Sequence, residues 1–174
     1  MYSWFDSFGP AAPDGDARAL RTAFSAFATG VCLVTTVTAD GKREGMTVNS
    51  FASVSLQPAL LLWSIRDDAR SADAFLSSGR FIISVLDARQ QALALHFAKP
   101  AEDKFAHYED AFEAGLGGCP RLRAAVATFE CATWSRHKEG DHTILVGKVA
   151  HFSSTQGVPL LAHAGKLGAP GDIA

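Results

Sequence analysis

The pattern of hydrophobic and polar positions predicts a chain built mainly from β-strands. Runs of β-branched and apolar residues alternate with short segments rich in turn-forming residues. Two of these turns, Asp40-Gly41 and 138–141, are typical of antiparallel hairpins, which counts against a parallel α/β sheet. We therefore expect six or seven strands in an antiparallel barrel with helices on its outside. The predicted strands are 31–38, two strands within 45–56, 60–65, 81–86, 124–137 and 142–149.

Helical periodicity is confined to short segments. Leu20, Phe24 and Phe27 recur at the spacing of an amphipathic helix, which predicts that one face of this helix is buried and that Gly30 closes it. Two further short helices are predicted after the fourth and fifth strands, and Asp87 is the expected N-cap of the second.

Composition and charge exclude several classes of protein. The 174 residues are 48% hydrophobic and 20% charged, as in an ordinary globular domain. A net charge of -2 without a basic run argues against nucleic-acid binding. No apolar segment has the length of a membrane span, and the N-terminus lacks signal-peptide features. We expect one cytoplasmic domain over 17–174, preceded by a lead over 1–16 that contains several Gly and Pro residues.

The cysteines and histidines do not form a recognisable metal or redox motif. Cys32, Cys119 and Cys131 are odd in number and far apart, which predicts a reducing compartment and small core residues. His137 and His142 flank a turn without further ligands at zinc spacing, so we expect solvated hairpin histidines and no metal site.

Polar side chains are dense in the segment 45–56. From the residues alone, two interpretations stay open: a strand–turn–strand whose hydroxyls meet water or backbone, and a site for a polar ligand. The residues concerned are Thr47, Asn49, Ser50, Ser53 and Ser55.

Several segments, taken together, resemble the flavin reductase family, the small reductase components of two-component flavin monooxygenases. They follow the order of the family over about residues 18–167. The segments are Phe27–Val31, Val34–Thr36, Gly45–Phe51, Ser53–Leu56, Phe81–Leu86, His96–Ala98, Asp103–Phe105, Gly140–His142, Val146–Val149, Pro159-Leu160 and Gly165-Lys166.

This resemblance implies a mainly β fold, the FMN-binding split β-barrel with a Greek-key core flanked by short helices. It also implies a homodimer that transfers hydride from NADH or NADPH to FMN or FAD. The reduced flavin would then pass to a monooxygenase or halogenase partner. The choice between FMN and FAD, and between NADH and NADPH, stays open. Two alternatives also stay open: a non-catalytic flavin-binding barrel, and a flavoprotein that holds its flavin tightly and reduces another acceptor.

The resemblance further implies the residues of the site. The hydroxyls and backbone N–H groups of Thr47, Asn49, Ser50 and Ser53 suit the polar edge of the flavin ring, and Val48 and Val54 suit its apolar surface. Arg70 and Ser71 are expected at the phosphate. The full set of cofactor-binding residues is Met46, Thr47, Val48, Asn49, Ser50, Ser53, Val54, Ser55, Arg70, Ser71, Phe97, Ala98, Lys104, Gly140, Asp141 and His142.

His142 has a distinct role in this prediction. With Gly140 and Asp141, it resembles the contact that the family makes to the nicotinamide dinucleotide. Hydride transfer needs no general base, but it requires the donor carbon to be held at near-attack distance from the acceptor. His142 is therefore the predicted catalytic residue in a positioning and electrostatic sense.

Overall fold

The computed structural model describes residues 17–101 and 103–173, so the lead over 1–16 lies outside the described residues. The α-helices are α1 (Ala17–Ser25), α2 (Ala72–Ser77) and α3 (Gln91–Ala98). The strands are β1 (Thr29–Gly30), β2 (Cys32–Val37), β3 (Arg43–Val48), β4 (Ala52–Leu56), β5 (Ala59–Arg66), β6 (Arg80–Val85), β7 (Phe112–Ala114), β8 (Pro120–Leu122), β9 (Ala127–Glu139), β10 (His142–Ser154), β11 (Leu161–His163) and β12 (Lys166–Gly168). Short 3-10 helices cover Ala88–Gln90, Ala106–Ala111 and Leu116–Gly118.

Seven strands form one sheet in the order β3-β2-β6-β9-β10-β5-β4. Each neighbouring pair in this sheet is antiparallel, as the two hairpin turns predicted. Two small antiparallel sheets, β1-β11-β12 and β7-β8, complete the fold. The mainly β prediction is confirmed, and the parallel α/β alternative is wrong.

The two edges of the seven-stranded sheet are consecutive in sequence. β3 ends at Val48 and β4 begins at Ala52, with only the link Asn49–Phe51 between them. A flat sheet would separate its edge strands by six spacings, roughly 29 Å. The link spans roughly 14 Å when extended. The sheet must therefore curl until its edges approach each other.

Two apolar clusters lie on opposite faces of β2, because successive side chains of a strand alternate. Val34 packs in the cluster that contains Trp63 and Phe81, and Leu33 packs in the cluster that contains Phe97. The ring centroids of Trp63 and Phe81 lie 5.8 Å apart in an edge-on arrangement. The curled sheet is thus filled on one face and covered on the other.

The predicted N-cap Asp87 is confirmed and belongs to a capping box that leads into α3. Its carboxylate accepts from the backbone N–H of Arg89, and the Gln90 side chain accepts from the Asp87 N–H. The pKa of Asp87 is lowered from 3.8 to about 2, and the largest cause is hydrogen bonding from the Arg89 side chain. The charged Asp87 carboxylate therefore stabilises the folded state above pH 3.8, and this contribution is lost as the pH falls towards about 2.

Helix α1 departs from the prediction. It ends at Ser25 rather than at Gly30, which lies in β1, and no residue of α1 is buried. Leu20, Phe24 and Phe27 are 46%, 68% and 78% exposed. The expected buried face is therefore wrong for the single chain, because no other part of the described chain covers it.

The sequence prediction also missed four short strands. β7 and β8 lie on either side of the glycine-containing segment 115–118, and β11 and β12 lie in the C-terminal twenty residues. Each has three residues, too few for an alternating pattern to be recognised.

The three cysteines are free and buried, which confirms their interpretation as core residues. Burial raises the pKa of Cys32 and of Cys131 to about 12. In addition, the longest α-helix of the described chain has nine residues, and none qualifies as a membrane span.

We predict that Gly147→Ala destabilises the fold by about 1–3 kcal/mol, because the core has no space for the added methyl group. A Cβ at Gly147 would lie 2.5 Å from the buried ring of Phe81 and 2.9 Å from Cys131. Gly171→Ala is the matched control, since nothing lies within 4 Å of its Cβ position. Urea unfolding measures both variants, and equal midpoints would contradict the packing described for β10.

Candidate active-site cleft

A cleft opens beside the end of β3, between the end of β5, the end of α3 and the β9–β10 turn. It has two parts that share Met46, Thr47, Arg66 and Ala69, with volumes of about 420 and 240 Å³. The larger, here called the cation part, is completed by Asp68, Arg70, Ser71, Phe97, Ala98, Pro100 and Lys104. The smaller, here called the hairpin part, is completed by Val48, Asn49, Ser50, Ser64 and His142.

Strand β3 lies close against α3 because its third residue has no side chain. A Cβ on Gly45 would lie 3.0 Å from the ring of Phe97 and 3.1 Å from that of Phe105. Two residues after Gly45, the Thr47 hydroxyl donates to the Ala94 carbonyl of α3 at 2.7 Å. These contacts place β3 along the cleft, and they use the hydroxyl proton of Thr47 within the protein.

The link Asn49–Phe51 crosses from one sheet edge to the other at the hairpin part. The Ser50 hydroxyl accepts from the Ser64 N–H at 3.0 Å and donates to the Ser64 carbonyl at 3.2 Å, which joins the link to β5. The three residues of the link lie outside the strands, so the sheet ladders do not use their backbone N–H groups. These donors are available to a ligand.

Lys104 is half-buried at the base of the cation part. Its ammonium donates to the Gly45 carbonyl at 3.0 Å and to the Phe97 carbonyl at 2.9 Å, so it ties β3 to the end of α3. Desolvation lowers the pKa of Lys104, the nearby Arg70 lowers it further, and Glu44 opposes both effects. The ammonium therefore lies where a ligand with negative charge would be stabilised.

The connection from β5 to α2 supplies the other charges of the cation part. Arg66 pairs with Asp68 at 2.6 Å, while Arg70 is exposed. Ser71 is buried, and its hydroxyl contacts the Met46 sulfur at 3.8 Å, a weak hydrogen bond. Together with the ammonium described above, these residues give the cation part an excess of positive charge.

His142 is the first residue of β10 and enters the hairpin part from the β9–β10 turn. It pairs with Arg66 of β5 and with Glu139 of β9. Gly140 supplies the left-handed conformation of the turn, with φ of 60°. Nδ1 of His142 lies 2.7 Å from a carboxylate oxygen of Asp141 and donates to it, since a carboxylate only accepts. This hydrogen bond lowers the pKa of Asp141.

The structure brings the predicted residues of β3, of its link, of α2, of α3 and of the hairpin to one cleft, but not those of β4. Ser53 and Ser55 line a separate apolar groove with Phe129 and Phe152, and Val54 is 49% exposed. β4 diverges from β3 after the link because it pairs with β5 at the opposite sheet edge. The cofactor-binding role of these three residues stays a prediction. Gly140 and Asp141 shape the turn beside the cleft.

Several residues of the cleft were missed by sequence reasoning. Ser64 lies in the predicted strand 60–65, and Arg66 and Asp68 follow it, but none of the three was among the predicted site residues. Their proximity to His142 depends on the pairing of β5 with β10, which the sequence pattern does not reveal. A polar end on an otherwise apolar strand was the only signal available.

The residues present in the cleft fit a flavin. The ring system needs apolar surface, which Met46 and Val48 supply, and donors for its polar edge, which the link Asn49–Phe51 supplies. A flavin phosphate needs positive charge, which Arg70 and Lys104 supply in the cation part. The cation part, with a volume of about 420 Å³, is in the range of ligand pockets for small molecules.

Comparisons with known proteins agree with this fit. Residues 24–170 match the family model described as "Flavin reductase like domain". The chain is 42% identical over 137 residues to the reductase component of a flavin-dependent trigonelline monooxygenase from Acinetobacter baylyi, covering 79% of this chain and 44% of that protein. It spans 44% and 60% of the length of two further curated relatives, so these three relatives contain sequence outside the shared region.

Two other relatives match over most of both chains. The FMN reductase (NADH) SmoA from Agrobacterium fabrum is 40% identical over 158 residues, covering 90% of this chain and 88% of that protein. The solved structure of the NADH:FAD oxidoreductase SgcE6 from Streptomyces globisporus, in complex with NAD and FAD fragments, has a TM-score of 0.84 at 34% identity. That match covers 94% of this chain and 99% of the other.

We predict that Lys104→Met destabilises the protein by about 1–3 kcal/mol, because two backbone carbonyls lose a charged donor while the aliphatic stem is retained. Thermal unfolding in the absence of ligand measures the effect.

Lys99→Met is the matched control, since Lys99 is exposed and lies just after α3. Its unfolding temperature should equal that of the unmodified protein. Equal stability of the Lys104→Met and Lys99→Met variants would contradict the role of Lys104 in joining β3 to α3.

Proposed function

We propose, since the chain belongs to the flavin reductase family, that it transfers hydride from NADH to FMN or FAD. We further propose that it supplies the reduced flavin to a partner monooxygenase or halogenase. The relatives described above are named as NADH-dependent reductases of FMN or FAD and as a component of a monooxygenase. Their names support NADH as the donor, and they include both flavins.

One observation carries the proposal. Asn49, Ser50 and His142 line one part of the cleft, and Arg70 and Lys104 line the adjoining part, which shares four lining residues with the first. A flavin and the reactive end of a nicotinamide dinucleotide must meet in such a cleft for hydride transfer. Met46 and Thr47 lie where the two parts of the cleft join.

Different residues of the cleft would bind different parts of the flavin. Arg70 and Lys104 would hold the phosphate, and Met46 and Val48 would pack against the ring. Backbone N–H groups of the link would hold the polar edge of the ring and stabilise the negative charge that reduction places there. The chemistry that a bound flavin supplies is acceptance of a hydride from the nicotinamide.

His142 would orient the dinucleotide rather than move a proton. The Asp141 carboxylate accepts a hydrogen bond from Nδ1–H, which orients the ring and leaves Nε2 as its other polar atom. The cleft side of the hairpin therefore presents one preorganised polar group close to Asn49 and Ser50. Preorganisation of this kind lowers the entropic cost of holding the two reactants together.

We infer that the curled sheet is a split β-barrel with a Greek-key core. The three-residue link between the two sheet edges supports this inference, as does the hydrogen bonding of Ser50 to β5. A crystal structure with β3 and β4 on widely separated edges would contradict it.

We also infer a homodimer that covers the exposed face of α1. A nine-residue helix with no buried residue is marginal on its own, and Phe24 and Phe27 are mostly exposed. Both residues line a second cavity of about 250 Å³ that reaches Asn49, so a subunit packed there would border the active-site cleft.

We predict that Phe24→Ser shifts the protein from a dimer towards a monomer of 18.4 kDa, because it removes apolar surface from the proposed interface. Light scattering after size-exclusion chromatography measures the mass. Leu95→Ser is the control, since Leu95 is 47% exposed on α3 and away from α1. A wild-type protein that is monomeric at high concentration would contradict the homodimer.

We predict that the protein oxidises NADH, followed at 340 nm, at a rate that rises and saturates with added FMN or FAD. The reason is that flavin acts here as a substrate that binds and leaves. No oxidation with either flavin would favour a non-catalytic flavin-binding barrel. A rate independent of added flavin would favour a flavoprotein that holds its flavin tightly.

In the same assay, His142→Ala should raise KM for NADH far more than it weakens flavin binding. His137→Ala is the control. His137 lies on the same hairpin, where it pairs with Ile144, and its substitution should leave both constants unchanged. An unchanged KM for NADH in the His142→Ala variant would contradict the proposed role of His142 in orienting NADH.

A further inference from the structure

The β9–β10 hairpin that carries His142 is supported by a neighbouring strand on its β10 side but not at the end of β9. Residues 127–132 of β9 pair with β6, but residues 133–139 pair only with β10. Residues 136–141 are exposed. Residues 142–148 of β10 pair with residues 60–66 of β5, so the β5–β10 ladder ends at His142 and the turn projects beyond it. The orientation of His142 therefore depends on what holds the turn to the rest of the protein.

Asp67 holds the turn through three separate contacts. Its backbone N–H donates to the Asp141 carbonyl at 3.0 Å. One carboxylate oxygen accepts from the Thr143 hydroxyl at 2.9 Å, and the other accepts from the Lys138 ammonium. Asp67 is thus bonded to residues on both sides of His142 in sequence and to the opposite strand of the hairpin.

The position of Asp67 explains why it reaches all three partners. It is the first residue after β5, and the last residue of β5, Arg66, pairs with His142. Thr143 is buried, so its hydroxyl needs an acceptor within the protein. The pKa of Asp67 is lowered mainly by the hydrogen bond from Lys138 and also by that from Thr143. The lowered pKa keeps the carboxylate charged and able to accept.

We propose that Asp67 is a positioning residue for the hydride donor: it anchors the β9–β10 turn to the end of β5 and so fixes His142 at the cleft. This inference rests on the proposed function, in which His142 orients the nicotinamide dinucleotide. Asp67 itself acts through the hairpin. Loss of the Asp67 side chain should therefore weaken binding of the hydride donor NADH and leave flavin binding unchanged.

The test compares Asp67→Ala with Glu139→Ala in the full-length protein. Glu139 is an exposed acid on the same hairpin that takes part in none of the three contacts, so it matches the loss of charge without the loss of the anchor. At saturating flavin, Asp67→Ala should raise KM for NADH about tenfold, with the flavin dissociation constant unchanged. Glu139→Ala should leave both constants unchanged.

Two further variants separate positioning from a general loss of structure. Asp67→Asn keeps an acceptor for Thr143, so its KM for NADH should lie between those of the unmodified protein and Asp67→Ala. Asp67→Ala combined with His142→Ala should have the same KM for NADH as His142→Ala alone, because Asp67 acts through His142. Fully additive effects in the double variant would overturn the proposal.

Hydrogen exchange provides a measurement that does not depend on activity. Backbone amides of residues 138–143 should exchange faster in Asp67→Ala than in Glu139→Ala, while the amides of β6 stay equally protected. Unchanged exchange, or an unchanged KM for NADH in an active Asp67→Ala enzyme, would overturn the positioning role alone. An unmodified protein that does not reduce flavin with NADH would overturn the proposed function and the positioning role together.

Discussion

The link Asn49–Phe51 is the constraint on which the rest of the structure depends. It joins the two edge strands of a seven-stranded sheet with three residues, so the sheet has to curl until the edges are close. The hydrogen bonds between Ser50 and Ser64 then connect the link to β5. The same curvature places the polar residues of the link beside the cleft, so the curl of the sheet and the formation of the site have one cause.

The cleft is assembled from elements that are distant in sequence, and each is held by a contact of its own. Lys104 joins β3 to the end of α3 through two backbone carbonyls. Asp67 joins the β9–β10 turn to the end of β5. In both cases a charged side chain serves first as a structural tie. The cation part consequently has its positive charge fixed in place, and the hairpin part has its histidine fixed in place, before any ligand binds.

Two apolar surfaces are left exposed by the single chain. One is the face of α1 with Phe24 and Phe27, next to a cavity that reaches Asn49. The other is the groove between β4 and β10, where Leu56 is 91% exposed and Phe152 is 76% exposed. Exposed apolar surface of this extent is typical of proteins that associate. The first of these surfaces borders the cleft, which links the proposed dimer to the proposed activity.

The sequence by itself determined the local elements. Runs of β-branched and apolar residues predicted β2, β5, β6, β9 and β10. Local turn and cap chemistry predicted both hairpins and the cap at Asp87, because these features depend on neighbours in the chain. Tertiary structure decided the rest. The pairing of β5 with β10 brought Arg66 to His142, the opposite edge position of β4 took Ser53 away from Thr47, and Phe24 of α1 stayed mostly exposed. Strand order and long-range pairing are set by the packing of the whole sheet, and no segment carries that information alone.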